Sequence, residues 1–280
     1  MKTNRIISVC ILFLSLLIIG VHSMAWAQPG AIRLIPSKVT TPPDSLKLDK
    51  FYKKYLVANG IPVISSWRVP DSALYQAWRI VMFMTNDLPG ENLAQMQKAG
   101  ARVGVMARYE GTTDIPEHAY LANDTTINWD LRARGLGGDM DLPLTTCAEE
   151  NLLCYQIDKY HAEDILIHEF AHAIHLIGIA PIDSTFNPKL QECYNEAIAA
   201  GKYDRTYAKT DIYEYWAEGV QDWFNVNAEV PKPDGKHNQV NTREELKKYD
   251  SGLYNLLSHY FSDFEGSPSC HAAKNEYSFK

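Results

Sequence analysis

Apolar and polar positions follow different spacings along this chain, and each change of spacing marks a boundary. Residues 6–20 form a mainly apolar run behind Lys2 and Arg5, followed by the small-x-small triplet Ala25, Trp26, Ala27. A charged start, an apolar stretch and a small-residue site predict a signal peptide over residues 1–27. The run is shorter than the roughly 20 residues of a membrane span. Residues 28–47 carry Pro29, Pro36, Pro42 and Pro43 among polar side chains and predict an extended lead-in without a core of its own.

From residue 48 the pattern alternates element types. The words KFYKKYL, IPVISSW and ARVGVMAR predict a short helix, a strand and a second strand, with helices over residues 71–88 and from Glu91 between the strands. Residues 109–160 hold few periodic runs and many turn formers, so the cluster Gly135, Gly137, Gly138 predicts a turn or bulge. A phosphate cradle needs a strand leading in and a helix leading out, and neither is evident there. Helical spacing then takes over, across residues 162–177, 188–200, 211–225 and 242–261, the last opened by a capping box of Thr242 and Glu245. The expected fold class is α+β: a small sheet in an N-terminal α/β lobe, and a mostly helical C-terminal lobe, in one domain over residues 48–280.

Charge and cysteine content narrow the setting. The chain has 27 basic and 34 acidic residues and a net charge of −7. Loss of Lys2 and Arg5 with the leader makes the balance more acidic still, which argues against nucleic acid or an anionic membrane surface as the main partner. No membrane span is expected after leader cleavage, and a monomer secreted to the periplasm or the exterior is the simplest reading. Removing Cys10 leaves Cys147, Cys154, Cys193 and Cys270, an even number in an exported chain, so all four are expected in disulfides. Proximity suggests Cys147 with Cys154, which leaves Cys193 for Cys270. A cysteine metal site is disfavoured because no C-x-x-C pair occurs.

The chemistry concentrates in ILIHEFAHAIH, residues 165–175. His168 and His172, four apart on a helix, lie one turn apart on one face and can reach one ion. Glu169 between them can address a water on that ion, which is the logic of H-E-x-x-H. A core helix with hydrogen-bonded histidines is the bland alternative. It leaves three ionisable groups among apolar neighbours, at a cost of several kcal/mol (~) if unpaired. His175 sits about 10.5 Å along the axis from His168, too far to converge on the same ion, and is expected at the rim. Glu196 and Glu214 compete for the third ligand position. Glu214 is favoured because Glu218, one turn on, can accept a ligand histidine N–H, whereas Ala200 occupies that place after Glu196. Asp222 is expected on a solvated helix face.

HEFAHAIH resembles the catalytic helix of the gluzincin zinc metallopeptidases, and YAKTDIYEYWAEGVQDWF, residues 207–224, resembles the zinc-ligand helix of the anthrax lethal-factor-like catalytic domains. The chain is also similar to exported bacterial proteins with the words RARGLGG, CAEENLLC and EYWAEGVQ. The likeness covers some two dozen residues and implies a zincin-like fold, Zn²⁺ as cofactor with Glu214 as ligand, Glu169 as general base and Tyr207 as the group that supports the oxyanion. The implied activity is peptide-bond hydrolysis on a peptide or protein substrate. The rival class is a metal-binding, non-proteolytic module for cell wall or carbohydrate, with Trp67, Tyr203 and Trp216 as possible stacking surfaces. A metal-free, disulfide-stapled domain is the third.

Overall fold

The computed structural model describes residues 38–264 and 266–272. The expected signal peptide and the first part of the expected lead-in lie outside them.

Four strands, β1 (Lys54–Ala58), β2 (Ile61–Ser65), β3 (Arg102–Met106) and β4 (Leu144–Ala148), form one sheet in that order. β1 and β2 are an antiparallel hairpin, closed by Asn59 and Gly60 at φ 46° and 79°. Asn-Gly favours left-handed backbone at both positions and so matches the twist of the strands. KFYKKYL is therefore not a helix: its second half is β1, and Tyr55 also bridges back to Thr40 of the lead-in. β2, β3 and β4 run parallel. The first crossover carries α1 (Asp71–Thr85) and α2 (Gly90–Ala99), as expected.

The second crossover holds short 3₁₀ turns and α3 (Trp129–Arg132) before reaching β4, and α4 (Glu149–Leu152) follows β4 directly. All five residues of β4 are buried, as parallel strands covered on both faces tend to be. α5 (Ile165–Ala173) packs behind it and continues as one wider π-helical segment, Ile174–Ile179. α6 (Phe186–Ala199) and α7 (Ile212–Trp223) follow. The expected last helix is two helices, α8 (Arg243–Tyr249) and α9 (Ser251–Leu257), with Asp250 ending one and capping the next. Thr242 caps α8, with Glu245 N donating to Thr242 Oγ1 at 3.3 Å, but the expected capping box is incomplete, because Glu245 Oε2 accepts from Asn241 N and Thr242 Oγ1 and not from Thr242 N. Leu56, Val63 and Val105 of the sheet, Leu74 and Ile80 of α1, Phe170 of α5 and Trp216 of α7 are fully buried in one core. Among the described residues no helix is long and apolar enough to cross a membrane.

The cysteines pair differently from expectation. Cys154 is bonded to Cys270, 116 residues away, and Cys147 and Cys193 are free thiols. The pleat of β4 sends Cys147 into the core with no exposure, while Cys154, at a left-handed φ of 49° beyond α4, faces the C-terminal segment instead. Cys193 lies on α6 against Gly252 of α9.

Candidate metal centre

α5 starts at a well-anchored point. The Asp164 side chain caps it by accepting from Ile167 N at 3.0 Å, and Ile165 N donates to Asn151 Oδ1 at 2.9 Å. One and two turns on, His168 and His172 present Nε2 atoms 3.3 Å apart. α7 supplies the third donor from its first turn, where Asp211 Oδ1 caps by accepting from Glu214 N at 3.0 Å. Glu214 Oε2 then stands 3.1 Å from His168 Nε2 and 3.6 Å from His172 Nε2. Trp216 Nε1 donates to Ala171 O at 2.9 Å and fixes the register of the two helices.

Those three atoms form a triangle that suits a metal ion. A tetrahedral ion with bonds of about 2.1 Å spaces its ligand atoms about 3.4 Å apart, close to the mean of the three separations. Two imidazole nitrogens and a carboxylate oxygen, mostly buried, need positive charge between them. His168 is accordingly pushed up to about 10: burial opposes its charge, but the hydrogen bond with Glu214 and the charges of Glu169 and Glu218 prevail. Glu214 is held low, because the hydrogen bonds and charges of both histidines outweigh its burial. Glu169 also brings a carboxylate oxygen within 4.8 Å of both histidine nitrogens. Its carboxyl is raised by burial. Glu196 stands apart on α6, exposed and lining an open surface depression with Cys193 and His259.

The groups behind the triangle differ from the sequence expectation in three respects. His168 Nδ1 donates to Gln221 Oε1 at 2.9 Å, and Glu218 Oε1 lies farther off at 3.7 Å. Gln221 is held in turn by donating to Asp164 O at 3.2 Å, so one side chain links the first histidine to the start of its own helix. Glu218 instead receives Asn227 Nδ2 at 3.1 Å, shared with Asp222 at 2.9 Å. Asp222 is buried, not solvated, and burial raises its carboxyl. His175 is not at the rim: it is fully buried, donates Nε2 to Asn187 Oδ1 at 2.7 Å, and packs between Phe186, Tyr213 and Trp216. Tyr203 and Trp216 are core residues too, whereas Trp67 is exposed.

The Tyr207 phenol lies beside the donors. The Tyr207 ring lies nearly parallel to the His168 ring with centroids 6.3 Å apart. Its hydroxyl is pushed up to about 12 by burial, then by the Glu214 charge and hydrogen bond. Tyr160 was not evident from sequence, since it precedes the helix among loop residues. Burial raises its hydroxyl, with the charges of Glu163 and Glu169 adding to the rise.

The glycine-rich words form an extended edge. Leu136 bridges antiparallel to Thr146 of β4, with Thr146 N donating to Leu136 O at 2.8 Å. This lays Gly135 and Gly137 directly on α5. A Cβ on Gly137 would meet His172 Cβ at 2.7 Å, and one on Gly135 would meet Glu169 Cγ at 3.0 Å. Arg134 anchors the segment, its guanidinium on Glu150 at 2.6 and 3.1 Å and on the carbonyls of Ala107 and Glu110.

The fold and this site define an α+β chain with a two-histidine, one-glutamate donor set on adjacent helices. A scan against protein-family models gives no match, and a search of curated proteins gives none. Among solved structures the chain is similar to the PRO-PRO endopeptidase from Paenibacillus alvei, with a TM-score of 0.46 and 16% identity over 70% of this chain and 95% of that one.

Proposed function

We propose that the chain is an exported zinc-dependent peptidase of the gluzincin type, with residues 48–280 as its catalytic domain. The observation that carries this reading is the triangle of His168 Nε2, His172 Nε2 and Glu214 Oε2, whose sides of 3.3, 3.1 and 3.6 Å suit one tetrahedral ion. These three residues would hold Zn²⁺, which when bound acts as a Lewis acid that polarises a carbonyl and acidifies water. Glu169, one residue after His168 and with its carboxyl raised by burial, is suited to take a proton from the attacking water and return it to the leaving nitrogen. Tyr207 keeps its proton to about pH 12 and so can donate to the oxygen that gains charge. Beyond Leu136 the sheet has no further strand among the described residues, leaving an edge on which an extended peptide can pair.

The test is turnover of a peptide library by purified, zinc-loaded protein. Glu169→Gln is expected to keep zinc and lose cleavage. Equal cleavage by wild type and Glu169→Gln would remove Glu169 from the mechanism, and stoichiometric zinc with no cleavage of any peptide would favour the non-proteolytic module.

A further inference from the structure

We propose that the approach to the donor set receives peptides with acidic side chains next to the scissile bond, met by Arg132, Lys159 and Lys236; this rests on the peptidase reading above. The three cations come from separate parts of the chain. Arg132 ends α3, Lys159 precedes α5, and Lys236 lies in the loop after α7. Lys159 Nζ donates to Leu131 O at 2.8 Å, next to Arg132, and sits 5.1 Å from the centroid of the Tyr160 ring. Lys236 O accepts from Tyr207 N at 2.7 Å, which places that loop against the other phenol.

All three side chains are exposed, and among the described residues none is in an ion pair. The nearby carboxylates are already engaged. Glu163 pairs with His237 at 3.3 Å, Asp234 accepts from Lys236 N and His237 N at 2.9 Å each, and Asp130 accepts from Thr113 N and Oγ1 at 2.8 and 3.0 Å. Lys159 is held low by partial burial and then by the charges of Arg134, Arg132 and Lys236, so these cations lie within electrostatic reach of it. In a chain with 34 acidic and 27 basic residues, exposed cations that have no carboxylate partner suit an anion from outside. The charge of Arg132 also reaches both Tyr160 and Tyr207, where it opposes the rise of each hydroxyl.

The experiment compares two peptide pools of identical design, one rich in Asp and Glu and the other in Lys and Arg, with the zinc-loaded full chain. The acidic pool is expected to be cleaved about tenfold faster in kcat/KM, as three exposed charge contacts of a few-fold each would give. That gap should shrink as salt rises. The double variant Arg132→Glu, Lys159→Glu is expected to abolish or reverse the preference. Equal cleavage of both pools, or a preference unchanged in the double variant, overturns the proposal while leaving the peptidase reading intact. If neither pool is cleaved, the peptidase reading falls, and fluorescence anisotropy of intact peptides on Glu169→Gln decides the rest. Selective retention of acidic peptides would then keep the charge assignment, and equal retention would end it.

Discussion

Glu214 Oε2 lies 3.1 Å from His168 Nε2, although 46 residues separate them in the chain. The contact exists because the Asp211 cap fixes the first turn of α7, and Trp216 locks α7 to α5 one half-turn later. A third donor held this firmly should dominate metal affinity. Glu214→Gln is expected to weaken zinc binding by more than about 100-fold, since loss of an outer hydrogen-bond partner alone typically costs about 10- to 100-fold. Gln221→Ala should fall in that smaller range and exceed Glu218→Gln, because Gln221 holds the His168 N–H. Competition with a fluorescent chelator measures all three, and a Glu214→Gln affinity equal to wild type would remove this residue from the donor set.

The pH behaviour follows from His168. Its folded pKa, pushed up to about 10, lies above the ordinary value of 6.5. The stabilisation from its charge is therefore complete below about pH 6.5 and is lost as pH rises through about 10, in metal-free protein. Glu214 has the opposite sign, contributing above its ordinary value of 4.5 and losing its contribution as pH falls toward its lowered pKa. Metal-free protein should consequently lose thermal stability between neutral pH and pH 10. Zinc takes His168 as neutral imidazole, so zinc uptake near pH 8 should release about one proton. Calorimetry in buffers of different ionisation heat reads this directly, and zero release would contradict the assignment.

Gly137 touches the second histidine. Alanine there brings a Cβ to 2.7 Å from His172 Cβ, so either the edge segment or α5 must shift. Overpacking of this kind costs about 1–3 kcal/mol. Zinc affinity and turnover are expected to fall with it. Gly90→Ala is the control, because nothing lies within 4 Å of the added atom and Gly90 opens α2. Its effect should stay within about 0.5 kcal/mol. Equal stability and zinc affinity in the two variants would show that the edge segment does not press on His172.

The single disulfide predicts the thiol count. A denatured chain lacking residues 1–27 should titrate two free thiols, Cys147 and Cys193. Cys154→Ser should cost about 2–5 kcal/mol, the usual range for removing a native bridge. Cys193→Ser should cost far less. Four blocked thiols, or a Cys193 variant as unstable as the Cys154 variant, would restore the pairing suggested by proximity.

What the sequence revealed depended on how local each feature is. His168, Glu169 and His172 were legible because their relation is complete within one turn of helix. Glu214 was legible only through the company of Glu218, and the outcome was mixed: Glu214 does converge on the histidines, but the N–H of His168 goes to Gln221. β4 escaped notice because Leu144, Thr145, Thr146, Cys147 and Ala148 are all buried, so the strand has no polar alternation. β1 escaped because the lysines of KFYKKYL masked the Asn59-Gly60 turn. The Cys154 partner depends on a contact between segments far apart, which no spacing rule encodes.

The bridge to Cys270 also sets an order in time. Beside it, His271 donates to Asn151 O at 2.8 Å, and Asn151 is the residue whose side chain receives the first amide of α5. During synthesis, residues 270 and 271 emerge long after the helix whose beginning they secure, and Cys270 follows Cys154 by 116 positions. α5 can thus form early but acquires its full support only once that later segment has arrived and the bond has closed. Full anchoring of the candidate centre is in this way tied to the arrival of residues 270 and 271.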